Sequence, residues 1–230
     1  MALNILSAGA AKAVVTKVAK EAGLEIAGAF GAVGAMKDKL TAGEPCDVIV
    51  LTRAMLEDLA KGRVIEEDSL GDIGRVRTGV AVKRGGHPPV ISKAVSLSAA
   101  LVGADAIYVP DLTRSTAGKH VASMLESLGI AAEVAGRIME FPNGAAAMKA
   151  MAESAEPFPI GCTQVSEILY TEGVTLAGVL PDEFELATEY SAAVCAGAAD
   201  PAEARRFVAL LTGHSTQQLR AKAGFEIAGA

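Results

Sequence analysis

The stretch "RSTAGKH", residues 114–120, sets Arg114, Ser115, Thr116, Gly118, Lys119 and His120 directly before an apolar helical run. Two chemistries suit such a set. Ser115 or Thr116 can cap the helix by accepting a hydrogen bond from a first-turn backbone N–H. Alternatively, those N–H groups and the positive end of the helix dipole can receive an anion. Arg114 would then add a planar fork that matches a carboxylate. His120, one turn into the helix, reads either as a proton-transfer group or as a packing histidine. The same style recurs at "SAGAA" (7–11), "GAVGAM" (31–36), "LTRAM" (51–55), "FPNGAAAM" (141–148) and "CTQVSE" (162–167). Each puts small residues where a strand gives way to a helix, so backbone N–H groups stand ready for a shared anion. The candidate ligand contacts are Ser7, Gly9, Ala10, Gly34, Ala35, Arg53, Arg114, Ser115, Thr116, Asn143 and Gln164, with His120 the candidate catalytic group. Arg53 carries an alternative, pairing with a surface Asp or Glu. Cys162 reads as a small buried filler.

The elements that must position these residues alternate. "LNILS" (3–7) predicts a strand, Ala10–Ala22 a helix, "LEIAGAF" (24–30) a strand, and Ala35–Ala42 a helix. "DVIVL" (47–51) and Arg53–Lys61 repeat the pair, and "RTGVAVKRG" (77–85) is a further strand. A second series follows: helix Ser92–Gly103, strand 106–109, helix Thr116–Leu128, strand "AEVAGRI" (132–138) and helix Gly144–Ala155. Strands 160–163, 174–180 and 188–196 and helices Pro201–Leu211 and Gln217–Ala223 complete the chain. Strands alternating with helices point to parallel sheets with right-handed crossovers. The layout divides into one lobe of residues 1–80 and 190–230 and another of 81–189, with ligands expected beyond the carboxyl ends of strands in a cleft between them.

Composition narrows the partners. The 230 residues are 51% hydrophobic but only 4% aromatic, without Trp, so the core is built from Ala, Val, Leu and Ile. A net charge of −6 argues against nucleic acid or an acidic membrane surface as a partner. Cys46, Cys162 and Cys195 are odd in number and widely spaced, neither a disulfide framework nor a zinc pattern, which suits a reducing compartment. No run approaches the ~20 apolar residues of a membrane span. "MALNILSAGAAKAVV" lacks a basic n-region and an uninterrupted apolar stretch of signal length. The chain as written therefore reads as cytoplasmic, or as periplasmic if a signal peptide has been removed. Metal-ligand spacing, a P-loop, G-x-S-x-G and a dinucleotide fingerprint are all missing, so neither metal nor cofactor is expected.

Several segments carry a family resemblance. "LNILSAGAAKAVVTKVAKEAGLEIAGAFGAVGAMKDKLTAGEPCDVIVLTRAMLEDL", "VRTGVAVKRG", "STAGKHVASMLESLGI" and "RAKAGFE" resemble the periplasmic molybdate-binding proteins and their relatives. The strongest landmarks are "AGEPCDVIV" (42–50) and the terminal "GF" (224–225). The resemblance implies an α/β, two-lobed type II periplasmic-binding-protein fold, each lobe a mainly parallel sheet flanked by helices. It also implies, for molybdate, hydroxyl donors on three loops. Here those positions fall on Ala10, on Gly31-Ala32-Val33-Gly34 and on Gln164. Each missing donor forgoes a charge-assisted hydrogen bond of ~1.5–3 kcal/mol. Arg53 and Arg114 on cleft-facing loops, with Asn143 and Gln164 as amide donors, suit a di- or tricarboxylate better. Two roles follow from the resemblance. One is a solute-binding protein for a small organic anion, with an ABC permease as partner if exported. The other is a cofactor-independent isomerase of an unsaturated polycarboxylate, since aconitate isomerases are relatives. In that case Arg53 and Arg114 would clamp carboxylates, N–H groups at Gly9–Ala10 and Gly34–Ala35 would steady an enolate, and His120 would move the proton.

Overall fold

Apart from one long strand, the strands are mostly apolar runs of four to eight residues, and the computed structural model describes residues 2–227. The chain divides into two compact units. One runs up to Val76 and resumes at Thr188; the other is Arg77–Ala187.

In the first unit, β1 (Leu3–Ala8) leads through a short 3-10 turn, Gly9–Ala11, into α1 (Lys12–Glu21). Then come β2 (Ile26–Gly31), α2 (Val33–Thr41), β3 (Val48–Thr52) and α3 (Arg53–Lys61). β1 pairs parallel with β2, Leu3 opposite Ile26, and with β3, Ile5 opposite Val48. The carboxyl ends of these three strands therefore share one edge, and each feeds a helix. β4 (Gly71–Lys83) begins in this unit and continues into the second.

The second unit continues with α4 (Ala94–Val102), β5 (Ile107–Pro110), α5 (Thr116–Ser127), α6 (Ala131–Val134), β6 (Ile138–Phe141) and α7 (Gly144–Glu153). It ends with β7 (Ile160–Gln164), α8 (Val165–Tyr170) and β8 (Val174–Val179). β5 lies between β6 and β7, parallel to both, while β4 runs antiparallel to β7 and β8. One face packs Leu97, Leu101, Val121 and Met124 against Ile107 and Val109; the other packs Ala147, Met148 and Met151 against Tyr108.

The chain then returns to the first unit. There β9 (Ala187–Val194) pairs antiparallel with β3, Val48 opposite Val194. α9 (Pro201–Thr212) and α10 (Gln217–Lys222) follow, with Phe207 and Leu211 fully buried. The signature residue Asp47 is structural. It is 3% exposed and accepts hydrogen bonds from Asn4 N at 2.7 Å and Ala199 N at 2.6 Å, tying β1 to the segment after β9.

Two expectations need correction. Residues 132–138 are not a strand: α6 and a 3-10 turn, Ala135–Arg137, precede β6. Ile130 and Val134, four apart, bury one helical face, and Arg137 donates to the carbonyls of Val102 and Ala104, anchoring the turn. β4 starts at Gly71 rather than at Arg77, because Gly71, Asp72 and Gly74 hide its apolar alternation. As the "CTQVSE" junction led one to expect, β7 gives way after Gln164 to a helix, the short α8.

Candidate functional site

In the first unit, the helix starts after β1, β2 and β3 share a property. Ala8, Ala32 and Thr52 occupy their N-cap positions, and none makes a side-chain cap hydrogen bond. The first-turn N–H groups of a helix have no intrahelical partner, so these ends favour negative charge. Gly9 and Ala10 lie in the turn after β1, and Gly34 and Ala35 in the first turn of α2. Ser7 is fully buried within β1, its hydroxyl donating to Ala8 O at 3.0 Å.

Arg53 opens α3, but its guanidinium is engaged inside the unit. Nη1 donates to both oxygens of Asp72 at 2.6 and 2.7 Å, and Nε to Glu57 at 3.0 Å. Asp72 also accepts from Ser191 Oγ at 2.7 Å. The hollow beside Arg53, about 440 Å³, is lined by Glu57, Ala60, Lys61, Glu67 and Leu70 as well, so its two cations are balanced by two carboxylates. The surface-pairing alternative thus describes Arg53 in this structure.

In the second unit, the 114–120 stretch builds a capped helix start. Ser115 is the N-cap of α5 and accepts from Gly118 N at 3.4 Å; Thr116 is the first helical residue. Asp111 accepts from Thr113 N, Thr113 Oγ1 and Arg114 N, each at 2.8 Å. Burial works to raise its carboxyl, but these bonds outweigh burial and hold it below the usual range. Gly118 is required by close approach: a Cβ there would press on the backbone of Asp111 and sit 2.7 Å from Pro110 O. Arg114 and Lys119 are exposed on this rim. His120 Nε2 lies 2.8 Å from Phe184 O, and since a carbonyl only accepts, Nε2 carries the proton. The ring ties α5 to the Asp182–Phe184 turn, leaving Nδ1 as its other polar atom.

The start of α7 is filled from within the chain. Asn143 caps it, accepting from Ala146 N at 2.9 Å. Glu167, from the first turn of α8 and 5% exposed, accepts a hydrogen bond from Thr163 Oγ1 at 2.6 Å. Burial raises its carboxyl above the usual range, opposed by the Thr163 hydroxyl and the backbone N–H groups of Ala145, Gly144 and Gln164. An internal carboxylate therefore stands at the α7 end, where the sequence suggested an external anion. The sequence signal for it was the four-residue spacing of Thr163 and Glu167 in "CTQVSE". Gln164 ends β7 at 2% exposed, opposite Thr78 of β4. Cys162 is fully buried, its thiol pushed up to about 12 by burial, so it is no nucleophile. Among the described residues no cluster of His, Cys, Asp and Glu could hold a metal, and no helix is long and apolar enough to cross a membrane.

Comparison with known proteins adds the following. A family model described as bacterial extracellular solute-binding protein matches residues 3–226. The chain is 25% identical to an aconitate isomerase of a Pseudomonas species, over 91% of this chain and 81% of that protein. Among solved structures, the Azotobacter vinelandii periplasmic molybdate-binding protein superposes with a TM-score of 0.78 at 17% identity, covering 98% and 99% of the two chains. The sulfate-binding protein of Mycobacterium tuberculosis superposes at 0.72 with 16% identity, covering 100% and 88%. At such identities the structural likeness establishes the periplasmic-binding-protein fold alone.

Proposed function

This chain belongs to the bacterial extracellular solute-binding proteins, and from that premise we propose that its solute is a small organic anion bearing two or more carboxylates. The observation that carries the reading is the set of helix starts at the shared edge of β1, β2 and β3, none closed by a side-chain cap. They offer N–H groups of Gly9, Ala10, Gly34 and Ala35 without a competing hydroxyl. In the second unit, the exposed Arg114 beside the Ser115 cap is the proposed carboxylate fork, with Thr116 and Gln164 as further donors. Arg53 drops out of that role because Asp72 and Glu57 hold it, and Asn143 because its oxygen caps α7. The relative named for aconitate, a tricarboxylate, supports the same ligand class. The family description favours the exported alternative over the cytoplasm, and an ABC permease is the partner that role requires.

The test is a thermal-shift and calorimetric titration with citrate, trans-aconitate, molybdate and sulfate. A true ligand at one hundred times Kd stabilises by about 2.7 kcal/mol. A rise with a tricarboxylate and none with molybdate is expected. Micromolar molybdate affinity, with no response to carboxylates, ends the proposal.

The aconitate isomerase relative favours a second reading, an isomerase that shifts a double bond by proton transfer. His120 Nδ1 is its candidate proton carrier, since Nε2 is bonded to Phe184 O. Incubation with trans-aconitate in heavy water would then yield the isomer with deuterium at the shifted carbon. Binding without exchange or isomerisation removes this reading and leaves the first.

A further inference from the structure

The sequence shows three unrelated cysteines, but the fold brings two of them together. Cys46 lies two residues before β3, and Cys195 directly follows β9. β3 and β9 are antiparallel with Val48 opposite Val194, and Cys195 N donates to Asp47 O at 2.9 Å. Cys195 thus stands level with Asp47, one residue from Cys46. Opposed residues of an antiparallel ladder lie about 4.5–5.5 Å apart and one step along a strand adds about 3.4 Å, giving a diagonal of about 6 Å. In a regular strand that step would turn Cys46 to the other face, but Cys46 lies before β3, outside the ladder, and its thiol is hydrogen-bonded with that of Cys195. A disulfide needs Cα atoms about 4.4–6.8 Å apart. Both side chains are buried, at 8% and 3% exposure. Cys46 Sγ donates to Val48 O at 3.2 Å, which turns that sulfur toward the start of β3, where β9 ends.

We propose that Cys46 and Cys195 are a cross-linking pair that closes to a disulfide when the chain folds in the presence of a disulfide oxidant. One thiolate attacks a small disulfide such as oxidised glutathione, forming a mixed disulfide and expelling one glutathione thiol. The other cysteine, deprotonated, attacks the protein-bound sulfur and expels the second. The chain gives up two hydrogens and two electrons, and the oxidant takes up both. Cys162 has no part in this: it sits alone, fully buried, in the other unit.

Timing follows from the environment. Cys46 beside it, and then burial, push the Cys195 thiol well up from its ordinary value. A buried, high-pKa thiol is a poor nucleophile, so the bond forms while the chain is still opening and closing. The native reduced protein resists the same oxidant. The family's extracellular setting is where such bonds persist.

The experiment unfolds the reduced chain in urea, refolds it in a glutathione redox buffer, and alkylates it under denaturing conditions without reductant. Peptide mass spectrometry should find Cys162 alkylated and the Cys46 and Cys195 peptides joined, the chain being lighter by two hydrogens. The Cys162→Ala chain should cross-link equally. The oxidised protein should unfold at higher urea than the same chain after reduction, because the bond closes a long loop. Three alkylated cysteines in a refolded monomer overturn the proposal. So does a bond through Cys162, or a cross-linked chain lacking the circular dichroism of the reduced native protein.

Discussion

Gly144 begins α7 with Thr163 and Glu167 packed where a side chain would stand. A Cβ built there would collide with Thr163 Oγ1 and Glu167 Oε2 and lie 2.7 Å from the Glu167 carboxyl carbon. Its φ is not among the positive values of the chain, so Gly144→Ala asks nothing unusual of the backbone and tests the contact itself. Helix propensity favours alanine by up to ~1 kcal/mol. Against that, parting Thr163 from Glu167 leaves buried polar groups unsatisfied at about 1–3 kcal/mol, and overpacking costs about 1–3 kcal/mol more. The net expectation is a loss of about 1–5 kcal/mol, against the ~5–15 kcal/mol typical of a folded protein. Urea unfolding followed by circular dichroism measures it as a lower midpoint at unchanged slope. Gly136→Ala is the control, since nothing lies within 4 Å of its added Cβ; it should stay within about 0.5 kcal/mol. In a Glu167→Ala background much of the Gly144→Ala loss should vanish, because one of the two colliding groups is gone. Equal, small effects of Gly144→Ala and Gly136→Ala would show that Glu167 does not fill the α7 start.

Glu167→Gln should reveal the carboxyl by its pH dependence. The folded-state value is raised above the ordinary 4.5, so its stabilisation is complete below the unfolded value and lost as pH rises through the folded one. The parent should lose stability relative to Glu167→Gln in urea melts from acid to neutral pH, and the opposite slope refutes the assignment. Arg114→Ala should weaken carboxylate binding at least tenfold by calorimetry, whereas Arg53→Ala should leave it unchanged and cost at most about 1 kcal/mol, as an exposed pair does. Arg220→Ala should destabilise by about 2–4 kcal/mol in thermal melts, because it strands the buried carbonyl of Ile73 and the half-buried one of Gly213, held at 2.6 and 2.7 Å. Arg220→Lys should not rescue, since one ammonium cannot replace a fork that joins two segments.

What the sequence revealed and what it hid divide along one line, local pattern against long-range pairing. The strand and helix order was legible because apolar runs and 3.6-residue spacing are local, and Arg53–Lys61 forms the helix its pattern predicts. "AEVAGRI" misled because Val134 and Ile138 alternate with polar or small residues. The partner deciding the matter, Ile130, lies outside the segment and completes a helical face. The candidate site was hidden in a different way. A small-residue loop at a helix start announces unsatisfied N–H groups, but it does not say what satisfies them. At α5 the answer is local: Ser115 caps, as its position allows. At α7 it comes from Glu167, more than twenty residues on, and for Arg53 from Asp72, nineteen residues away. In both cases the opposite charge the loops seemed to invite is supplied by the chain itself. The helix starts after β1, β2 and β3 differ from those of α5 and α7 in that no side-chain cap closes them, a property the start of α8 shares. On the function proposed above, the first-unit starts, rather than the arginine- and glycine-bearing loops as a class, are where an anion would meet N–H groups with no side-chain cap.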